Sequence, residues 1–155
     1  MNSITSIHTR QASVADIEQL SRLFDGYRQF YGKAGDLDLA RNFLLERFRH
    51  NQSTIFIAVD GEGSAVGFTQ LYPSFSSVSA ARIFILNDLF VVSAARGLGA
   101  GRQLLQAAAA FGRALGAVRL SLSTAVDNTA AQALYTSLGW EPDDGYRCFD
   151  LGLPA

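Results

Sequence analysis

The chain reads as a mixed α/β (α+β) domain in which a mostly antiparallel sheet carries one parallel pair of strands. Three observations predict it. Apolar runs with strand and with helix periodicity follow one another along the chain. A turn at Asp60-Gly61 joins two strand-like runs. A single strand–helix–strand crossover, over residues 81–123, calls for a parallel pair. With 155 residues, 48% of them apolar, one domain over 1–155 has enough material for a hydrophobic core without disulfides or a structural metal.

Residues 4–10 form the first expected strand. Ser13, with Asp16 three places on, reads as a helix N-cap with an acidic first turn. Ile17, Leu20, Phe24 and Tyr27 then make one helical face, and Gly26, Gly32 and Gly35 loosen the stretch around Tyr27, Phe30 and Tyr31. A second helix fits 38–50, with Leu39 and Phe43 turned inward. Strands at 54–59 and 65–72 flank the hairpin turn, and Pro73 with the serines up to Ser79 ends the second. Residues 81–92 form a long strand. The helix at 102–115 places Leu104, Ala108, Phe111 and Leu115 on one face and stops at Gly116. A strand at 118–123, a helix at 129–138 ending at Gly139, and a last strand at 145–153 complete the order β-α-α-β-β-β-α-β-α-β.

Composition narrows the function. A net charge of −1 supplies no basic field for nucleic acid. The single cysteine, Cys148, forms no internal disulfide and points to a reducing cytoplasm, as a buried or half-buried thiol in a late strand. His8 and His50 are too far apart for a metal site. Residues 1–9 lack an apolar leader core, and no apolar run is long enough to span a bilayer.

The chemistry concentrates at Arg96-Gly97-Leu98-Gly99-Ala100-Gly101, between an expected strand and an expected helix. Glycines let backbone approach a ligand, and a helix start offers unpaired N–H groups and partial positive charge. Arg96 adds a guanidinium suited to phosphate oxygens. A Walker loop requires Lys and then Ser or Thr after its last glycine, where this chain has Arg102-Gln103. A dinucleotide fingerprint requires a third glycine or alanine where Arg102 stands. A tight turn without ligand stays open on the glycines alone.

A second motif follows the next expected strand: Asn128, Ala131, Leu134, Tyr135, Gly139 and Trp140. Residues 91–105, with Arg96, Gly99 and Gly101, resemble the cofactor motif R/Q-x-x-G-x-G/A of the GCN5-related N-acetyltransferases. Residues 128–140 resemble that family's N-x-x-A-x-x-L-Y-x-x-x-G-W/F motif. The likeness covers nearly the whole chain. Residues 87–91 and 145–149 narrow it toward the diamine, thialysine and Hpa2-like acetyltransferases.

The resemblance implies a single-domain fold of that type with a splayed parallel strand pair. It also implies direct transfer from acetyl-CoA to a primary amine, without an acyl-enzyme. The acceptor is expected to be small, a polyamine or an amino-acid-like compound; protein amines and a non-catalytic acyl-CoA sensor are the alternatives. The expected cofactor-binding set is Leu89, Phe90, Val91, Val92, Arg96, Gly97, Leu98, Gly99, Ala100, Gly101, Arg102, Asn128 and Tyr135. Within it the Val92 amide faces the thioester carbonyl, and the amides from Leu98 to Arg102 face the pyrophosphate. Tyr135 is the expected acid at the sulfur, and Asn128 caps its helix, bonds cofactor, or both.

The diamine enzymes carry a glutamate where this chain has Asn87, which cannot take a proton. Water relayed by Asn87 is the first candidate base. Asp88 is the second: strand alternation points it to the opposite face, and a bulge would change that. Tyr27, Tyr31 and Tyr72 are expected to border the amine, with Asp36 or Asp38 adding charge. A homodimer is common in the resembling families, and the last strand is a candidate interface.

Overall fold

The computed structural model describes residues 6–155. Ile4 and Thr5, the expected start of the first strand, and the first part of the leader reading lie outside the described residues. The chain divides into two compact units, one running to Ser123 and the other Thr124–Ala155.

The first unit is built on a five-stranded sheet in the order β1-β2-β3-β4-β5. These are Ile7–Gln11, Thr54–Asp60, Ala65–Ser76, Ala81–Val91 and Leu120–Ser121. The first four pair antiparallel, and β4 and β5 pair parallel, as the crossover requires. Helices α1 (Ile17–Phe30) and α2 (Leu37–Arg49) lie between β1 and β2, and α3 (Ala100–Ala114) lies between β4 and β5.

Strand β2 shows how the two faces are filled. Ile55, Phe56, Ile57 and Ala58 are all buried. Ile55 and Ile57 join Phe68, Leu20, Leu23, Phe24, Ala40 and Leu44 in the core beneath α1 and α2. Phe56 points the other way, its ring 5.6 Å from Phe111 of α3, and Phe84 of β4 meets the same ring at 5.3 Å. Period-two alternation thus feeds one core on each side of the sheet. Burying a side chain of the size of Phe68 contributes about 1.5–3 kcal/mol.

The helix signals hold locally. Ser13 and Asp16 form a capping box on a short 3-10 turn that leads into α1. Asp36 caps α2. Gly116, with φ of +73°, follows the end of α3.

Other expectations are corrected. Helix α1 runs through Gly26 unbroken, with the Phe90 ring packed 3.4 Å from where a Cβ would sit. Leu39 is exposed, and α2 buries Ala40 and Leu44 instead. Strand β3 continues through Pro73 to Ser76. By that point it has passed the end of β2, whose last partner is Leu71, so the missing proline N–H breaks no second ladder. Helix α3 starts two residues early, at Ala100. Strand β5 shrinks to two residues.

The second unit carries α4 (Thr129–Ser137). Its expected companion strand at 145–153 does not form; Tyr146, Phe149, Leu151 and Leu153 are exposed, and so is Cys148. Among the described residues, no helix is long and apolar enough to cross a membrane.

At Gly67 of β3 the neighbouring strand β4 leaves no room for a side chain. A Cβ there would stand 2.8 Å from the Phe90 carbonyl oxygen and 3.2 Å from the Val91 side chain. Gly67→Ala is expected to destabilise the chain by about 1–3 kcal/mol in urea denaturation; wild-type stability would show that the strands part freely there.

Candidate active site

Strand β4 is organised by one extra residue. Its register with β3 pairs Gln70 with Asp88 but Leu71 with Leu86, so Asn87 is a bulge. Below the bulge, Phe84 faces α3. Unbroken alternation would send Leu86, Asp88 and Phe90 to that side too. Instead Phe90 faces α1, its ring 6.4 Å from Tyr27. Asp88, two residues before Phe90, shares that face. Alternation alone would turn Asp88 away from this face, and the bulge that the strand needed to bring it back is present.

The bulge also sorts the backbone. The Val92 N–H donates to the Val66 carbonyl at 2.9 Å, so it is already used within the sheet, contrary to its expected role at a thioester. Alternation of ladder bonds then turns the Phe90 backbone toward β3 and the Leu89 and Val91 backbones away from it. The Arg96 Nε bond to the Val91 carbonyl, 3.1 Å, fits that direction. On this outer side β5 pairs with β4 only at Phe84–Leu120 and Ile85–Ser121. Beyond Ile85 the two strands are unpaired, and Leu89 turns its N–H and C=O to that edge and Val91 its N–H, the Val91 carbonyl being taken by Arg96.

The glycine loop continues from this edge. Gly97 and Gly99 have φ of +79° and +88°, in the left-handed region that disfavours side chains. A Cβ on either would meet no atom within 4 Å, so their bare backbone lies open on the surface. Gly99 is the N-cap of α3, and its carbonyl accepts the Gln103 N–H at 3.0 Å. The amides of Ala100 and Gly101 belong to a first turn that has no acceptors within the helix. Ala100 buries its methyl in the core, Leu98 is partly exposed, and Arg102 sits in the first turn. The Arg96 guanidinium lies 5.9 Å from the Phe30 ring centre. Left-handed glycines with open backbone and a helix start make a cradle suited to a pyrophosphate.

On the α1 and α2 side, Asp88 is buried and held by two amides. Gln70 Nε2 donates to one carboxylate oxygen at 2.5 Å and Asn87 Nδ2 to the other at 2.9 Å. The Tyr27 hydroxyl donates weakly to the Asn87 carbonyl at 3.4 Å. Burial, and then the Asp88 carboxylate beside it, hold the Tyr27 phenol well above its ordinary range. The Tyr72 phenol is pushed up to about 12 by burial and by Asp88.

Tyr31 stacks edge-on to Tyr27 at 5.0 Å but is mostly exposed, so it stands at the rim. Asp36 and Asp38 do not join the cluster; one caps α2 and the other pairs with Arg41 at 2.9 Å. Gln70 is a functional candidate that sequence reasoning passed over, although a lone amide in the apolar run from Val66 to Leu71 was a signal.

In the second unit, Asn128 Oδ1 accepts the Ala131 N–H at 3.4 Å, which is the capping role. Tyr135 is half-buried on α4, its ring 6.1 Å from Trp140.

The sequence pattern of the Acetyltransferase (GNAT) family matches residues 17–140. An uncharacterised N-acetyltransferase of Bacillus subtilis (strain 168), YhfO, is 46% identical over 149 residues, which cover 96% of this chain and 99% of that protein. A probable acetyltransferase of Haemophilus influenzae is 36% identical over 141 residues, covering 89% and 92%. The crystal structure of a probable acetyltransferase superposes with a TM-score of 0.90 at 40% identity, covering 96% of this chain and 99% of its own.

The two raised phenols carry a pH signature. Unfolded tyrosines ionise near about 10. The folded chain holds these protons more tightly, so their contribution to stability is intact below that pH and is lost as pH rises toward about 12. Chemical denaturation across that window is expected to show falling stability, with a shallower fall in Tyr72→Phe. Equal slopes would place Tyr72 in ordinary solvent.

Proposed function

The chain belongs to the GNAT family of acetyltransferases, and on that premise we propose that it moves the acetyl group of acetyl-CoA directly onto a primary amine of a small molecule. One observation carries the reading. The bulge at Asn87 lets a short stretch of β4 serve both reactants: Leu89 and Val91 offer backbone groups at the open edge, and Asp88 faces the tyrosines.

In this reading the Leu89 and Val91 backbones hold the pantetheine arm, with an N–H donor for the thioester carbonyl. Gly97 to Gly101, with Arg96 and Arg102, hold the pyrophosphate. Asp88 takes the proton that an amine of solution pKa near about 10 must lose before attack. Asn87 is not the base; its amide is committed to Asp88 and orients the carboxylate. Tyr27 and Tyr72 border the ammonium with their rings. Tyr135 is the acid at the departing sulfur, a role that rests on the motif around it.

The reaction balances simply. A nitrogen–carbon bond forms, the carbon–sulfur bond breaks, and the ammonium gives up two protons, one to the CoA thiol and one to solvent. A buried carboxylate flanked by tyrosines favours catalysis over a passive acyl-CoA sensor, which needs no acceptor side. The reading extends to a cytoplasmic homodimer that uses the exposed C-terminal segment, without nucleic acid or membrane as partner.

Acetyl-CoA at saturation is expected to raise the melting temperature, and Gly99→Asp to abolish that shift through repulsion and obstruction of the pyrophosphate. No shift with the wild type would remove the donor assignment. Tyr135→Phe is expected to lower kcat about 10²-fold or more while acetyl-CoA affinity stays near wild type; an unchanged kcat would end its acid role.

A further inference from the structure

The chemistry on the acceptor side does not stop at Asp88. Gln70 is fully buried, and while its Nε2 is used on Asp88, its Oε1 has no partner. Leaving a buried acceptor unsatisfied costs about 1–3 kcal/mol, and an N–H brought to this solvent-closed oxygen would relieve that cost. Helix α2 supplies the opposite pole. The Arg47 guanidinium lies over the Phe43 ring at 4.4 Å, and its Nε is buried without a partner.

A column of rings ties these groups to one region. Phe43 of α2 stacks on Phe24 of α1 at 5.3 Å, and Phe24 meets Phe68 of β3 edge-on at 6.3 Å. Arg47 stands one helical turn past Phe43. Gln70 and Tyr72 stand two and four residues past Phe68 on the same strand face. Tyr72 senses both charges, since Asp88 raises its pKa and Arg47 lowers it, after burial as the main cause.

We propose, building on the acetyl-transfer reading above, that the acceptor is an amino acid: its ammonium lies against Asp88 and Gln70 Oε1, and its carboxylate takes the donors of Arg47. A diamine satisfies only the first half. Its second ammonium would meet a guanidinium whose buried donor needs an anion. The two buried orphan atoms, one acceptor and one cationic donor, match a zwitterion.

The test is a panel of the twenty L-α-amino acids with β- and γ-amino acids, their C-terminal amides, and putrescine and spermidine as controls. Turnover is read as free CoA thiol released from acetyl-CoA. At least one free acid is expected to be acetylated with kcat/KM about tenfold or more above its amide. Arg47→Gln is expected to raise KM for that acid about tenfold, leaving kcat and the amide's KM near wild type, with Arg47→Lys in between. Equal losses on acid and amide would reduce Arg47 to a structural role and overturn the proposal. So would turnover of the polyamines alone, or of no acid at all. The acetyl-CoA thermal shift in the same samples separates these outcomes: a shift without amino-acid turnover sinks the acceptor class only, and no shift sinks the acetyltransferase site.

Discussion

The site depends on a parity change in one strand. Without the extra residue at Asn87, a strand that sends Phe84 toward α3 would send Asp88 there as well. A carboxylate in the apolar layer around Phe111 and Leu104 would have no donors and a heavy desolvation penalty. With the bulge, Asp88 stands opposite Gln70 and beside Asn87, and both of its oxygens receive amide N–H groups. The same irregularity releases the Asn87 carbonyl to Tyr27. The bulge thus satisfies the carboxylate and aims it in one step.

The other half of the site comes from pairing that stops early. β4 runs eleven residues, but β5 bonds it at only two positions. Sheets normally continue such ladders, because unpaired buried amides are costly. Here α3 holds β5 close at the paired end, where a side chain on Gly112 would stand 2.8 Å from Leu120. The strands are pinned at one end and unpaired at the other. The open end leads straight into the glycine loop, so the unpaired edge of β4 and the cradle at the start of α3 are continuous.

Much of this was legible. Ser13, Asp60-Gly61, Gly116 and Gly139 each act through local backbone chemistry and sit at the boundaries they announce. The spacing of Arg96, Gly99 and Gly101 marked the loop that opens α3 for the same reason. What was not legible depends on partners distant in sequence. Pro73 does not end β3, because only the length of β2 decides whether its missing N–H matters. Residues 145–153 alternate like a strand, but alternation supplies no ladder. The bulge leaves no mark in residues 84–91, so Asp88 read as turned away, and Val92 read as a free donor until its bond to Val66 was seen. Arg47 and Gln70 look like an ordinary helix cation and a stray amide until the ring column brings their elements together.

That last point explains why the acceptor side is harder to read than the donor side. A pyrophosphate cradle is made of backbone, and backbone geometry is written in glycines and helix starts. On the proposed reading, recognition of an amine acceptor would be made of side chains from α1, α2, β3 and β4, each occupying one slot in an otherwise apolar face. Those slots work against stability. A Gln and an Asp paired across the centre of a sheet, with one amide oxygen unsatisfied, contribute less than two well-packed hydrophobes in the same positions. The aromatic column of Phe43, Phe24 and Phe68 offsets that loss beside them and fixes the helices that carry Arg47 and Tyr27. Polar atoms left unsatisfied within a rigid apolar frame are the structural sense in which the proposed acceptor side would be preorganised: a ligand that completed the pairs would return energy withheld from folding.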